Sequence, residues 1–389
     1  MSVRFQRRIA NLLCRALQSI LPPQLRDWGL AIRYEVAEIP EDTQALSFAL
    51  ASVCTLAPRA IGLLLIQPFV ALPGAAVRAS RAGANRGSGT LHSPRAVGAL
   101  CAVGAVGMGL VYMTLAGAPV GYLIINAGAL VIGLALLFPV SRGLGAGGRL
   151  PGVLILGLSL LLLATALLGL RVEGAARWVN LGGVIVQPSL VLLPLMLVGF
   201  SRTRTPLATV GIVVAALAMA LQPDRAMAAM MTLALAAVAV TRADRPTCLA
   251  FTASLLAFGV TLLRPDALPA VPFVDRILFS SFGVHALAGL AVLAGSVMLV
   301  VPAIIGRSRD GDDRATCFAF GAAWLAATLA AAFGNHPTPV VGFGGSAILG
   351  YALSLSLLPR PVESRVGSAT APPDEPLASR DIHSRIALA

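Results

Sequence analysis

Repeated apolar runs of about 18 or more residues dominate this chain, and each is long enough to cross the hydrocarbon core of a bilayer as a helix. No other feature constrains the fold as strongly. With 57% apolar and only 12% charged residues, a chain of 389 residues has too little polar surface for a water-soluble globule. The residue-by-residue alternation of a membrane barrel is absent, so the expected class is an all-α polytopic membrane protein. Spans are expected near 97–116, 119–140, 150–170, 184–200, 206–221, 226–241, 246–263, 281–305, 315–333 and 339–358. Met1 to Leu30 carries Arg throughout and lacks a compact apolar core, so no cleavable signal peptide is expected.

Charge sets the expected orientation. The 29 basic residues are all Arg, and the net charge is +12. In a membrane protein that excess belongs to cytoplasmic loops beside anionic lipid, and no nucleic-acid partner is expected. If the first regular span starts inside, the inner loops hold Arg142 and Arg149, Arg202 and Arg204, Arg242 and Arg245, and Arg307, Arg309 and Arg314. Both termini are then cytoplasmic, and the Pro-rich tail 359–389 is expected to be disordered. Asp310, Asp312 and Asp313 fall in an Arg-bearing inner loop and read as a solvated charged patch.

The first 96 residues differ from the rest. Residues 1–44 form a cytoplasmic amphipathic region, with Phe5, Ile9, Leu13, Leu17 and Ile20 at helical spacing between arginines. That composition suits a helix on an anionic membrane surface. A second helix after Pro22-Pro23 takes Leu25, Trp28, Ile32, Val36 and Ile39 as its apolar stripe, for a small packed unit or a docking surface. Residues 45–76, interrupted at Pro58, are a broken hydrophobic hairpin or an in-plane segment. Residues 77–96 are a flexible basic linker. The five Cys and four His show no metal-ligand spacing, so no metal site is expected from them.

Three polar motifs stand on the side opposite the arginine loops. Gly174-Ala175-Ala176-Arg177-Trp178 leads to Gln187-Pro188-Ser189, Gln222-Pro223-Asp224 follows, and Pro339 to Ser346 reads PVVGFGGS. In order and spacing these resemble the SEDS family, the FtsW/RodA/SpoVE-type proteins of cell-wall synthesis. The matched stretches are its G-A-x-R-W…Q-P-S-E, Q-P-D-L-G-T and P-x-x-S-Y-G-G-S. The resemblance covers about 97–358, and ten spans is the family's number. It implies a SEDS-like fold of ten core helices in the bacterial inner membrane, to which this chain adds the N-terminal amphipathic and hairpin region outside the resemblance. It also implies a peptidoglycan glycosyltransferase that polymerises lipid-linked disaccharide beside a class B penicillin-binding protein. Matching L-P-x-x-H-T-D-F-I-F to the segment from Leu268 places the essential acid at Asp275, and Gly289 falls where the family has Gly.

An inverting transfer needs a base for the attacking hydroxyl and positive charge for the departing pyrophosphate. Asp275 is the candidate base. Arg177, Arg264 and Arg276 are candidates for phosphate, with a divalent cation, Mg or Mn, as a further source of charge. Trp178, Gln187, Gly344, Gly345 and Ser346 complete the expected substrate-binding set. Each has a plainer alternative. Asp275 is equally an ordinary loop acid paired with Arg276, and Arg177-Trp178 an interfacial anchor. Asp224 reads better as a helix cap than as a catalyst. His336 reads as a loop residue.

The departures from the family are all polar. Its Glu and Lys after Q-P-S are Leu190 and Leu193 here. L-G-T after Q-P-D is Arg225-Ala226-Met227, the acidic pair after the catalytic Asp is Gly283-Val284, and the loop between Asp224 and Leu268 is much shorter. A non-catalytic membrane scaffold binding a partner through its N-terminal region is therefore the second reading. A lipid-precursor transporter is a third, without paired intramembrane charges or an inverted repeat to support it.

Overall fold

The computed structural model describes residues 3–21, 26–53, 56, 93–143, 149–172, 174–264 and 268–359. Most of 45–96 beyond residue 53, the Gly-rich loop 144–148 and the tail 360–389 lie outside the described residues.

The N-terminal region is a small unit with its own apolar core. It comprises α1 (Val3–Ile20), α2 (Arg26–Glu38) and α3 (42–53). Ala10, Cys14 and Val36 pack with Ala45 and Ala49, while Leu17 and Leu21 meet Ile32 and Val53. The buried stripe of α1 thus follows positions 10, 14, 17 and 21, about one residue round from the expected one, because α2 and α3 cover that side. Trp28, in the expected apolar stripe of α2, is 63% exposed. Arg7 leaves the expected lipid-facing set. It donates to Asp42 at 2.6 Å and to the carbonyls of Val36 and Ile39, closing the end of α2.

The membrane region begins with three long helices, α4 (Pro94–Leu115), α5 (Val120–Gly143) and α6 (Leu150–Leu168). A three-stranded antiparallel sheet follows, β1 (Leu170–Val172), β2 (Ala175–Leu181) and β3 (Val184–Val186). Then come α7 (Pro188–Thr203), α8 (Pro206–Leu221), α9 (Arg225–Thr241) and α10 (Arg245–Leu262). The last section has α11 (Ile277–Val284), α12 (Ala286–Met298), α13 (Val301–Gly306), α14 (Gly311–Phe333) and α15 (Gly345–Leu355).

Local chemistry sets most starts. Proline stands in the first turn of α4, α6, α7, α8 and α10, where no N–H is needed. Ser93, Thr205, Asp224 and Asp244 accept hydrogen bonds from the amides of Ala96, Ala208, Met227 and Thr247 as N-caps.

Among the described residues, six helices are long and apolar enough to cross a membrane, with 286–306 counted as one, and four shorter apolar helices accompany them. The chain is a polytopic α-helical membrane protein, as the apolar runs predict. Length follows position. The shorter α7, α8, α9 and α15 supply much of the central core, including Met196, Ile212, Leu235 and Tyr351. The long α4, α5 and α6 expose many leucines and valines, as lipid-facing helices must. Small residues allow close approach inside. A Cβ on Gly350 of α15 would lie 1.9 Å from the Leu190 carbonyl oxygen of α7, and one on Gly109 would lie 2.2 Å from that of Val341.

Three expected spans are corrected. The span 184–200 starts later, because 184–186 pair with β2 as a strand. The span 339–358 starts at Gly345, because 339–344 form a hydrogen-bonded turn. The span 281–305 is broken into α11, α12 and α13. His285 starts α12 by accepting from the Leu287 amide, and the chain turns again at Leu299–Val300 before Pro302. Gly289 is where the Phe282 ring lies against α12, 2.4 Å from where a Cβ would stand.

Candidate functional site

The three motifs meet at one end of the bundle. α7 begins at Pro188 and α9 at Arg225, so Gln187 and Asp224 arrive together as the caps of neighbouring helices. Asp224, 1% exposed, accepts from the Met227 amide through Oδ1. Its Oδ2 accepts from Gln187 Nε2 at 3.0 Å and from Ser189 Oγ at 3.3 Å. A buried carboxyl with three donors is satisfied. The expected cap role of Asp224 is the one the geometry gives it. Gln187 also donates its backbone amide to Ser346 Oγ at 3.1 Å, which ties in the third motif.

Arg177 is 4% exposed and its guanidinium reaches the second motif. Nε donates to the Gln222 carbonyl at 3.4 Å and Nη2 donates to the Pro223 carbonyl. It is therefore a buried brace between β2 and the end of α8, which corrects the reading of Arg177 as an interfacial anchor. Trp178 beside it is half-buried.

Asp275 stands between two loops that pair with each other. Thr338 donates its amide to the Val274 carbonyl at 2.9 Å, and Phe343 donates to that of Phe273 at 2.7 Å. Asp275 itself bridges to Pro337. Its Oδ2 accepts from the Val271 amide at 2.8 Å. Burial in this pairing pushes the Asp275 carboxyl above its ordinary value, and the Val271 amide and the nearby His336 oppose the shift. The backbone here is strained. Phe273, Arg276 and Val340 all have left-handed φ, of 63°, 59° and 67°, which is unfavourable for any side chain and most of all for a β-branched one.

Asn126 of α5, which sequence reasoning passed over, holds the 339–344 turn. Its Nδ2 donates to the Gly342 carbonyl at 2.9 Å and its Oδ1 accepts from the Gly344 amide at 3.1 Å. Tyr122, one helical turn earlier, stacks on Phe343 with ring centroids 3.7 Å apart. A lone Asn inside a long apolar run was the available signal, since a buried amide in lipid surroundings needs partners.

These elements enclose a cavity of about 410 Å³, within the range of small-molecule sites. Asp275, Arg177, Trp178, Gln187, Gly344 and Ser346 all line it. His336, read as a plain loop residue, lines it too and is largely buried. Arg264, Arg276 and Gly345 stay outside. The carbonyl of Arg264 accepts from Arg225, Arg276 is an exposed left-handed cap of α11, and Gly345 packs toward Ala129 and Ile125 of α5. Leu190, where the family has Glu, is part of the cavity wall, whereas Leu193 lies in the core.

Among the described residues no three His, Cys, Asp or Glu side chains stand close enough to hold a metal ion. Asp275 and His336 share the wall, and the Asp224 carboxyl is already spent on three donors. A cation shared between one carboxylate, such as Asp275, and substrate phosphates needs no such cluster.

No family model and no curated protein matches the chain. Solved structures similar to it include two of one protein. One is the rod shape determining protein RodA of Thermus thermophilus, 23% identical over 67% of this chain and 93% of that one, with a TM-score of 0.45. The other is a point mutant of the same protein, 21% identical over 67% and 94%, with a TM-score of 0.48.

Proposed function

We propose that this chain is a SEDS-like protein of the bacterial inner membrane, with both termini in the cytoplasm, that polymerises glycan from lipid-linked disaccharide. What carries the reading is convergence. Asp275, Arg177 and the turn ending at Ser346 come from distant parts of the sequence and line one cavity. In this reading Asp275 takes the proton from the attacking sugar hydroxyl. Its raised affinity for protons, caused by burial, makes it a stronger base than a free carboxylate. Arg177 shapes the wall from its position on the Gln222 and Pro223 carbonyls, and His336 supplies positive charge on the Asp275 side when protonated. A class B penicillin-binding protein is the expected partner, and anionic lipid the expected contact of Arg8, Leu12 and Arg15, which stay exposed on one face of α1.

The test is reconstitution of the full chain with fluorescent lipid-linked disaccharide. Glycan chains are expected from the parent protein, and Asp275→Asn is expected to lower their formation by about a hundredfold or more. No polymer from the parent, with or without the partner, would overturn the reading.

One observation favours a second reading, a non-catalytic scaffold. Leu190 replaces an acid on the cavity wall, and the guanidinium of Arg177 is engaged by backbone carbonyls. A scaffold would bind the partner equally well with Asp275→Asn.

A further inference from the structure

The sheet beside the cavity has two unlike faces. Alternation along the strands puts Trp178, Ile185 and Gln187 on one side, and all three line the cavity. The other side carries Val179, Leu181, Val184 and Val186, set opposite one another by the pairs Val179–Val186 and Leu181–Val184. Arg177 shares that side at its buried inner end, where it braces the Gln222 and Pro223 carbonyls; the four residues beyond it are all aliphatic, and at the tip Leu181 is 61% and Val184 50% exposed. A sheet face turned to water carries polar side chains. The tip itself is neat: Gly182 and Gly183 both take left-handed φ, and the Gly183 amide donates to Asn180 Oδ1 at 2.8 Å.

A lipid-facing helix end lies beside the sheet. At the foot of the sheet, α6 ends in exposed Leu167 and Leu168, which continue the belt of Leu160 and Leu161 facing lipid along that helix. The hairpin therefore stands beside a helix end that faces lipid. Its other constraint is β3, the outermost strand of the sheet, with one edge not paired within it. Free backbone groups on that edge exclude the hydrocarbon centre but are satisfied among headgroups and interfacial water.

We propose that the hairpin formed by β2 and β3 lies in the headgroup–acyl boundary of the leaflet on the cavity side, with Val179, Leu181, Val184 and Val186 toward lipid. The cavity then opens at the membrane surface. Lipid is the occupant because the sheet adjoins the lipid-facing end of α6, and because the outer half of this face, beyond the buried Arg177, lacks the aromatic anchors, arginines and polar rim of a protein interface. The placement is independent of the chemistry in the cavity.

Val184→Trp and Leu181→Trp, each in the full chain in phosphatidylcholine vesicles, report the depth of this face, and Asn180→Trp reports the opposite one. After subtraction of the parent spectrum, lipid brominated near the headgroup end of its chains should quench the first two about twofold or more, with aqueous iodide having little effect. Asn180→Trp should respond less to the bromolipid. Quenching by iodide alone would put the hairpin in water and overturn the proposal. Shielding from both quenchers would mean a protein partner or a second copy covers the face, and would overturn it equally.

Discussion

Gln187 Nε2 donates to Asp224 Oδ2 at 3.0 Å, joining the starts of α7 and α9 across 37 residues of sequence. The same carboxyl caps α9, so removing it strands two buried donors and opens a helix terminus together. Asp224→Ala is expected to destabilise the protein by about 2–4 kcal/mol. Gln187→Ala should cost less, because Asp224 keeps Ser189 and the Met227 amide. A double-mutant cycle read by thermal unfolding in detergent should show positive coupling between the two sites. Strictly additive losses would show that the contact does not hold the motifs together.

Close helix approach gives a sharp contrast among glycines. Gly350→Ala drives a methyl group into the Leu190 carbonyl, and the backbone of α7 must shift to admit it. A loss of about 2–3 kcal/mol is expected, with poor yield of folded protein. Gly128→Ala and Gly157→Ala meet nothing within 4 Å and should leave the melting temperature unchanged or slightly raised. Equal effects at all three positions would contradict this packing of α7 on α15.

The 339–344 turn depends on Asn126. Asn126→Ala leaves a buried carbonyl at Gly342 and a half-buried amide at Gly344 without their side-chain partner, costing about 1–3 kcal/mol. Hydrogen exchange at the Gly344 amide should accelerate by roughly tenfold or more, ahead of global unfolding. Unchanged protection at that amide would remove Asn126 from the support of the cavity.

Asp275 gives a signed pH dependence. Its carboxyl is raised above the ordinary value, chiefly by burial. A raised carboxyl stabilises the fold while protonated. That contribution is complete below the unfolded pKa, near about 4, and is lost as pH rises through the folded one. Asp275→Asn stays neutral, so its stability relative to the parent should increase with pH across that acid window. His336→Gln removes a group that lowers the Asp275 pKa, so any Asp275-dependent activity should lose its acid limb at higher pH than in the parent. Parallel stability curves for parent and Asp275→Asn would contradict the burial of this carboxyl.

The amino-acid sequence alone determined the class, most of the spans and the three motifs. Apolar length is a local property, and so are the prolines and capping side chains that start α4, α8, α9 and α10. Asp224 was legible as a cap for the same reason, since it reaches an amide only three residues away. The sequence also contained the alternation from Val179 to Val186, but a short strand beside an apolar helix start has no distinct local signal. Only 184–186 fall within an expected span, 184–200, and 179–183 lie in the loop before it.

Tertiary structure decided which polar residues meet. Arg177 and Arg276 look alike in sequence, yet one is braced inside on two carbonyls and the other ends outside as a cap. The difference lies in the strand that carries the first and the loop that turns the second away. Asn126 and His336 entered the site only because α5 and the loop after α14 pack beside the 339–344 turn. A buried polar group must find its partners wherever the fold brings them, and those partners lie scores to hundreds of residues distant in the chain. That is why the residues that line the cavity were partly legible, and why the ones that hold it together were not.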